Sequence, residues 1–240
     1  MEESVSSRSS GRGKVRGMVP RVEPGSEGEI AEFRSHLITE AARIGRALTE
    51  IEADQLTTHF RLLRQWGKRM NLTGLRDVDP ILKRHFLEPI VAASILAGRG
   101  RLVDIGSGNG FPAIPLAILR SGIDLVLVEA SEKKSSFLWA VVRALGLKSA
   151  QVVTRRACRR ADLSDVLPAR WITYRGVKAA ELLEGESPEL LEPEGRLLAF
   201  VSEKDADTIR LHPLPGLRAI ERVPLPGSPG DVVEVFAPAG

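Results

Sequence analysis

Two hundred and forty residues, 43% of them apolar, are enough to bury one mixed core, and a charged fraction of 27% is that of an ordinary globular chain. The run Pro89–Ala97 falls far short of the roughly 20 apolar residues of a membrane span, and a single cysteine, Cys158, excludes a disulfide within the chain. The net charge of +3 resides entirely in residues 1–22, where five basic side chains face two acidic ones.

In chain order, residues 1–27 are rich in Ser, Gly and Arg and lack hydrophobic periodicity, so a disordered basic tail is expected, with no apolar core for a secretory signal. From Ile30 the spacing is helical through Phe33, Leu37, Ala41, Ile44 and Leu48, and again through Leu56, Phe60, Leu63 and Trp66. Arg61–Arg84 holds seven basic and two acidic residues. Such a segment steers polyanions, although a solvated face has the same composition. Asp79-Pro80 reads as the start of a third helix, running through Ile81, Phe86, Ile90 and Ile95 to Leu96.

After Gly98 the period changes. Strands at Arg101–Ile105, Leu125–Val128, Ala150–Val153, Trp171–Tyr174 and Arg196–Val201 alternate with helices, one of them capped by Ser131 and ended by Gly146. That alternation predicts a mostly parallel twisted sheet with helices on both faces, with Val232–Phe236 as a last strand. Residues 203–230, with their five prolines, suggest no element. The expected organisation is a tail at 1–27, a helical extension at 28–98 and an α/β core at 99–240. A second basic cluster (Arg155, Arg156, Arg159, Arg160) and an acidic run at Glu181–Asp207 complete the charge pattern. His36, His59, His85, His212 and Cys158 lack ligand spacing, so no metal site is expected. Trp66 and Trp139 are expected in the core.

The informative segment is Leu102–Phe111. A strand ends in Asp104, and Gly106, Gly108 and Gly110 turn the chain into a helix. A dinucleotide loop of the form G-x-G-x-x-G wants glycine at the position of Phe111. Glu129 closes the next strand 19 residues after Gly110, where a carboxylate can accept both hydroxyls of a ribose. The set favours an S-adenosylmethionine loop over a dinucleotide loop.

Met70–Thr73, Arg84–Leu87, Asp104–Ala117 and Glu129–Leu138 together resemble the ribosomal RNA small subunit methyltransferase G family, also known as glucose-inhibited division protein B. The likeness spans about Phe60 to Leu147, and Phe-Pro-x-Ile-Pro after the glycines is its distinctive part. It implies a class I Rossmann-like methyltransferase, cytoplasmic and monomeric, that uses S-adenosyl-L-methionine to methylate a guanine N7 in 16S rRNA or the small ribosomal subunit. By resemblance, Asp104, Gly106 and Gly108 form the cofactor pocket with Phe111 over the methionine end. Glu129 takes the ribose, Ala157 and Cys158 flank the adenine, and Arg175 stands at the mouth. Asn71, Arg84, His85 and Lys134 fall on the side that meets RNA.

Guanine N7 has a lone pair and no proton to lose, so the chemistry implied names no catalytic base; alignment and exclusion of water suffice. A-form grooves hide N7, so the base must come from a loop or be splayed out. Several positions depart from the family pattern. Glu88-Pro89 replaces Asp-Ser, Cys158 replaces an acid, and Tyr174-Arg175-Gly176 keeps only the arginine of Ser-Arg-Ala. Phe200-Val201-Ser202 lacks a lysine, and the chain ends Ala237-Pro238-Ala239-Gly240 instead of on a basic segment. Two other readings compete: an rRNA-binding paralogue without transfer activity, and a class I methyltransferase with another acceptor.

Overall fold

The computed structural model describes residues 24–176, 189–211, 214–227 and 229–239. The chain begins with α1 (Glu27–Arg43) and α2 (Glu50–Gly67), followed by α3 (Val78–Ile81), a π-helical turn (Leu82–Leu87) and α4 (Glu88–Ala92). Then come β1 (Gly100–Ile105), α5 (Ala113–Leu119), β2 (Ile123–Glu129), α6 (Glu132–Leu145), β3 (Ala150–Thr154) and β4 (Ala169–Arg175). The last elements are β5 (Leu191–Ser202), α7 (Glu203–Leu211), β6 (Leu217–Pro224) and β7 (Asp231–Pro238).

Local chemistry accounts for the helix limits. Thr49 and Glu52 cap α2 reciprocally: the Thr49 hydroxyl accepts the Glu52 N–H at 3.2 Å and the Glu52 carboxylate accepts the Thr49 N–H at 2.8 Å. The first helix ends at Arg43, not at Leu48 as its spacing suggests. Gly45 takes a φ of 83° there, and its N–H turns back to the Ala42 carbonyl. The third helix starts two residues earlier than expected, with Asp77 as its flanking residue and Pro80 inside the first turn. Ser131 and Gly146 bound α6 as read from the sequence.

Seven strands form one sheet in the order β3-β2-β1-β4-β5-β7-β6. The first five pair in parallel, whereas β7 runs antiparallel to both β5 and β6. Alternate residues face opposite layers. Leu102, Leu125, Leu127, Trp171 and Leu198 join one apolar cluster with Phe33, Phe60 and Phe86 of the N-terminal helices and Phe137 of α6. Val103, Ile105, Val126, Ile172 and Tyr174 point the other way, toward Leu163, Val166 and Leu167. Phe33 stacks on Phe60 at 3.9 Å, and Arg64 grips Glu29 with two hydrogen bonds of 2.9 and 2.6 Å, which ties α1 to α2.

Residues 203–230, blank in the sequence reading, contain α7 and β6. Trp66 packs edge-on against Phe137 at 5.8 Å, but Trp139 is 45% exposed on α6, contrary to expectation. Of the expected tail, residues 1–23 lie outside the described residues, as do residues 181–188 of the acidic run. Among the described residues, no helix is long and apolar enough to cross a membrane.

Candidate active site

Sheet order reverses beside β1, whose neighbours are β2 and β4, and open α/β sheets bind ligands in the crevice above such a point. The turn Gly106–Gly110 occupies that position. Gly106, Gly108 and Gly110 take φ values of 73°, 55° and 83°, which side-chain-bearing residues rarely adopt. Gly110 is also short of space: a Cβ there would lie 2.5 Å from Ile114 Cδ1, so this glycine lets the turn pack on α5. Gly108 has its nearest such neighbour only at 3.7 Å. Its N–H donates to Glu129 Oε2 at 2.8 Å, while Oε1 accepts the Ser131 N–H at 2.8 Å.

Register sets Asp104 beside Thr173 of β4, and the Thr173 hydroxyl donates to Asp104 Oδ1 at 2.7 Å. Asp104 Oδ2 is buried and has no partner among the described residues. Burial pushes the Asp104 carboxyl up to about 6 against the hydrogen bonds that favour its charge. Thus one carboxylate clasps the turn, and a second, one strand away, keeps an oxygen uncommitted.

Behind the turn, Phe111 is clamped between two histidine rings. His59 of α2 lies at 4.2 Å with rings 4° from parallel, and His85 of the π-helical turn lies at 4.6 Å and 12°. Both are held neutral: burial pulls each down to about 3, and the nearby Arg175 charge adds to the effect at His85. His59 Nε2 donates to the Asn109 carbonyl at 3.0 Å, and the Thr73 hydroxyl bonds His85 Nε2 at 3.0 Å. His85, expected where RNA meets the protein, is instead buried at 6% exposure, with its ring against Phe111.

Arg175 ends β4. It donates to the Arg84 carbonyl at 2.8 Å, pairs with Glu88 and lies 4.7 Å over the Phe200 ring. Burial drives the Glu88 carboxyl up to about 7, with Arg175 opposing. The departure from Asp at this position therefore leaves a carboxylate on the arginine. Arg84 itself reaches the surface, paired with Asp231 at 3.0 Å.

Ala157 and Cys158 follow β3 on the same carboxyl edge as the glycine turn. Cys158 is an exposed free thiol. A carboxylate stands close by nonetheless: Asp162 accepts the N–H groups of Cys158 and Arg159 at 2.8 and 3.0 Å, which hold it below the usual carboxylate range. Asn71 and Lys134 are not bonded to the turn. Asn71 is exposed and lines a cavity of about 880 Å³ between α1, α2 and the loop after α2, and Lys134 is half-buried in the first turn of α6. His59, Asn109, Asp162 and Thr173 were not legible as site residues, because each acquires its partner only through folding.

The model of the rRNA small subunit methyltransferase G family matches residues 52–214. This chain belongs to that family. A ribosomal RNA small subunit methyltransferase G from Geotalea uraniireducens is 34% identical over 164 residues, covering 68% of this chain and 74% of the relative. The enzyme of that name from Ralstonia nicotianae is 31% identical over 211 residues, covering 84% of this chain and 93% of its own length. A solved S-adenosylmethionine-dependent methyltransferase from Aquifex aeolicus shares the fold at a TM-score of 0.50 and 17% identity, over 65% of this chain and 91% of the other. The fold is accordingly that of a class I methyltransferase within the small subunit methyltransferase G family.

Proposed function

We propose that this member of the methyltransferase G family transfers a methyl group from S-adenosylmethionine to N7 of a guanine in 16S rRNA, acting in the cytoplasm with residues 28–98 as a helical extension on a core at 99–240. One observation carries the reading: the buried, unpartnered Oδ2 of Asp104 beside a left-handed glycine turn at the sheet's switch point. The cofactor bears an ammonium and a sulfonium, and a cation is what that carboxylate lacks. When bound, the cofactor supplies an electrophilic methyl group.

The residues then divide by position. Gly106 and Gly108 bring backbone close to the ligand, and Glu129 keeps lone pairs for ribose hydroxyls beyond the two N–H groups it already accepts. Ala157 and Cys158 lie at the strand end that would flank an adenine, with Asp162 supporting them. Phe111, sandwiched from both sides, offers a ligand its edge and backbone more than its face. Arg175, in a buried pair with Glu88, lines the acceptor side with Arg84. Asn71 and Lys134 face outward, where RNA arrives, and His85 acts from behind Phe111.

No side chain needs to take a proton from N7. Alignment within the crevice and exclusion of water supply the acceleration, and the Glu88 and Asp104 carboxylates favour the positive charge that the methylated base acquires. The test is methyl transfer to small ribosomal subunits or 16S rRNA, followed by chemical cleavage at N7-methylguanine. Calorimetry should show S-adenosylmethionine binding to the wild type and none to Gly106→Asp, whose side chain would require a strained φ of 73° in the ligand's path. A wild type that binds nicotinamide dinucleotides instead would overturn the reading.

A further inference from the structure

Asn109, between Gly108 and Gly110 of the glycine turn, is bonded in two directions. Its carbonyl accepts from His59 Nε2 at 3.0 Å, and its side-chain amide donates to the Leu72 carbonyl at 3.1 Å. Leu72 belongs to the loop after α2, between the exposed Asn71 and Thr73. A second route runs in parallel. The Thr73 hydroxyl accepts the Leu75 N–H at 3.2 Å and meets His85 Nε2 at 3.0 Å, and the His85 ring stacks on Phe111. His59 and Leu72 are buried, and Asn109 is half-buried between them, so these bonds are partly shielded from competing water.

The loop that presents Asn71 outward and the turn expected to hold the cofactor therefore share one hydrogen-bonded unit. We propose that Asn109 and His59 are positioning residues that couple the loop Met70–Leu75 to the glycine turn, so that cofactor binding and RNA binding reinforce one another. The RNA half of this statement rests on the function proposed above; the coupling between loop and turn does not. Linkage requires the two ligands to change each other's affinity by the same factor. Ordering the turn from one side lowers the cost of ordering the loop from the other.

The experiment begins without RNA. Hydrogen exchange at the amides of residues 70–75 is followed in the full chain, with and without saturating S-adenosylhomocysteine. Exchange should slow several-fold on binding in the wild type and change little in Asn109→Ala, which keeps the turn's backbone but loses the bond to Leu72. His59→Phe keeps the ring on Phe111 and removes the N–H, so it should also reduce the protection; it decides the matter if Asn109→Ala does not fold. RNA affinity, measured by anisotropy with a labelled 16S fragment, should rise about fivefold with the cofactor product present, and this gain should vanish in the same variants. Wild-type loop amides that do not respond to the ligand, or variants that respond as fully as the wild type, would overturn the coupling. Loop protection without any RNA binding would instead overturn the RNA reading and leave the coupling standing.

Discussion

Asp104 and Glu234 are both carboxylates buried in the sheet, one at the parallel carboxyl edge and one in the antiparallel hairpin, and the fold handles them in opposite ways. Glu234 of β7 is neutralised from two sides, by Arg210 of α7 and by Arg222 of β6 at 2.6 Å, and Arg222 is itself shared with Asp207. Asp104 has a threonine hydroxyl on one oxygen and, among the described residues, no partner on the other. A fully paired buried charge is completed within the fold, whereas one left open at a ligand crevice is completed by something that binds there. Each half of that contrast can be broken separately.

The largest loss of stability falls on the paired site. Glu234→Ala leaves two arginines without a shared anion, but their side chains are 42% and 26% exposed and can rehydrate. The loss therefore falls below the full cost of an orphaned buried charge, at about 2 kcal/mol in chemical denaturation. S-adenosylmethionine affinity should not change. Asp104→Asn should do the reverse, weakening the cofactor at least tenfold by calorimetry while stability holds or rises, because the amide oxygen still accepts from Thr173. If Asp104→Asn destabilises the protein, or binds the cofactor as tightly as the wild type, the contrast is wrong.

Titration sharpens the same comparison. The Asp104 carboxyl is raised from 3.8 to about 6, so across that window the native state keeps a proton the unfolded chain has released. Its contribution to stability is present below 3.8 and is lost as pH rises through about 6. His59 has the opposite sign. Lowered from 6.5 to about 3, it contributes stability that is present above 6.5 and lost as pH falls toward 3. Asp104→Asn removes the first dependence and keeps the second. Its stability relative to wild type should therefore climb by about 1.4 kcal/mol per pH unit between pH 4 and 6, then level off. Denaturation at four pH values reads that difference, and a flat difference would mean the carboxylate is solvated.

The two regions also differ in how openly the sequence displays them. The glycine turn is visible in Leu102–Phe111 because buried strand, acid and glycines are contiguous and each has its own signature. Of the hairpin only β7 is legible, as the expected strand Val232–Phe236; β6 buries only Leu217 of its eight residues, and α7 buries only Ala206, so neither announces a buried face. The π-helical turn Leu82–Leu87 leaves no trace in composition, since a widened helical register uses ordinary helix residues. His59 looks like any residue on the apolar face of α2. Its role comes from Asn109, fifty residues away, and no local pattern announces a contact of that range.

The smallest effect concerns the strand end after β3. Asp162 is occupied by the N–H groups of Cys158 and Arg159, so it shapes this loop without filling the place of the missing acid. The exposed Cys158 thiol is a poor acceptor. Cys158→Glu should add one hydrogen bond to an adenine amino group, worth about 1 kcal/mol, or about fivefold in Kd. Asp162 is a like charge nearby, so the gain should grow with salt as their repulsion is screened. Calorimetry at low and moderate ionic strength measures both trends. Unchanged affinity at both would place the residue 158 side chain off the ligand; Asp162→Ala, which removes the acceptor of both loop N–H groups, should then weaken binding where Cys158→Glu failed to strengthen it.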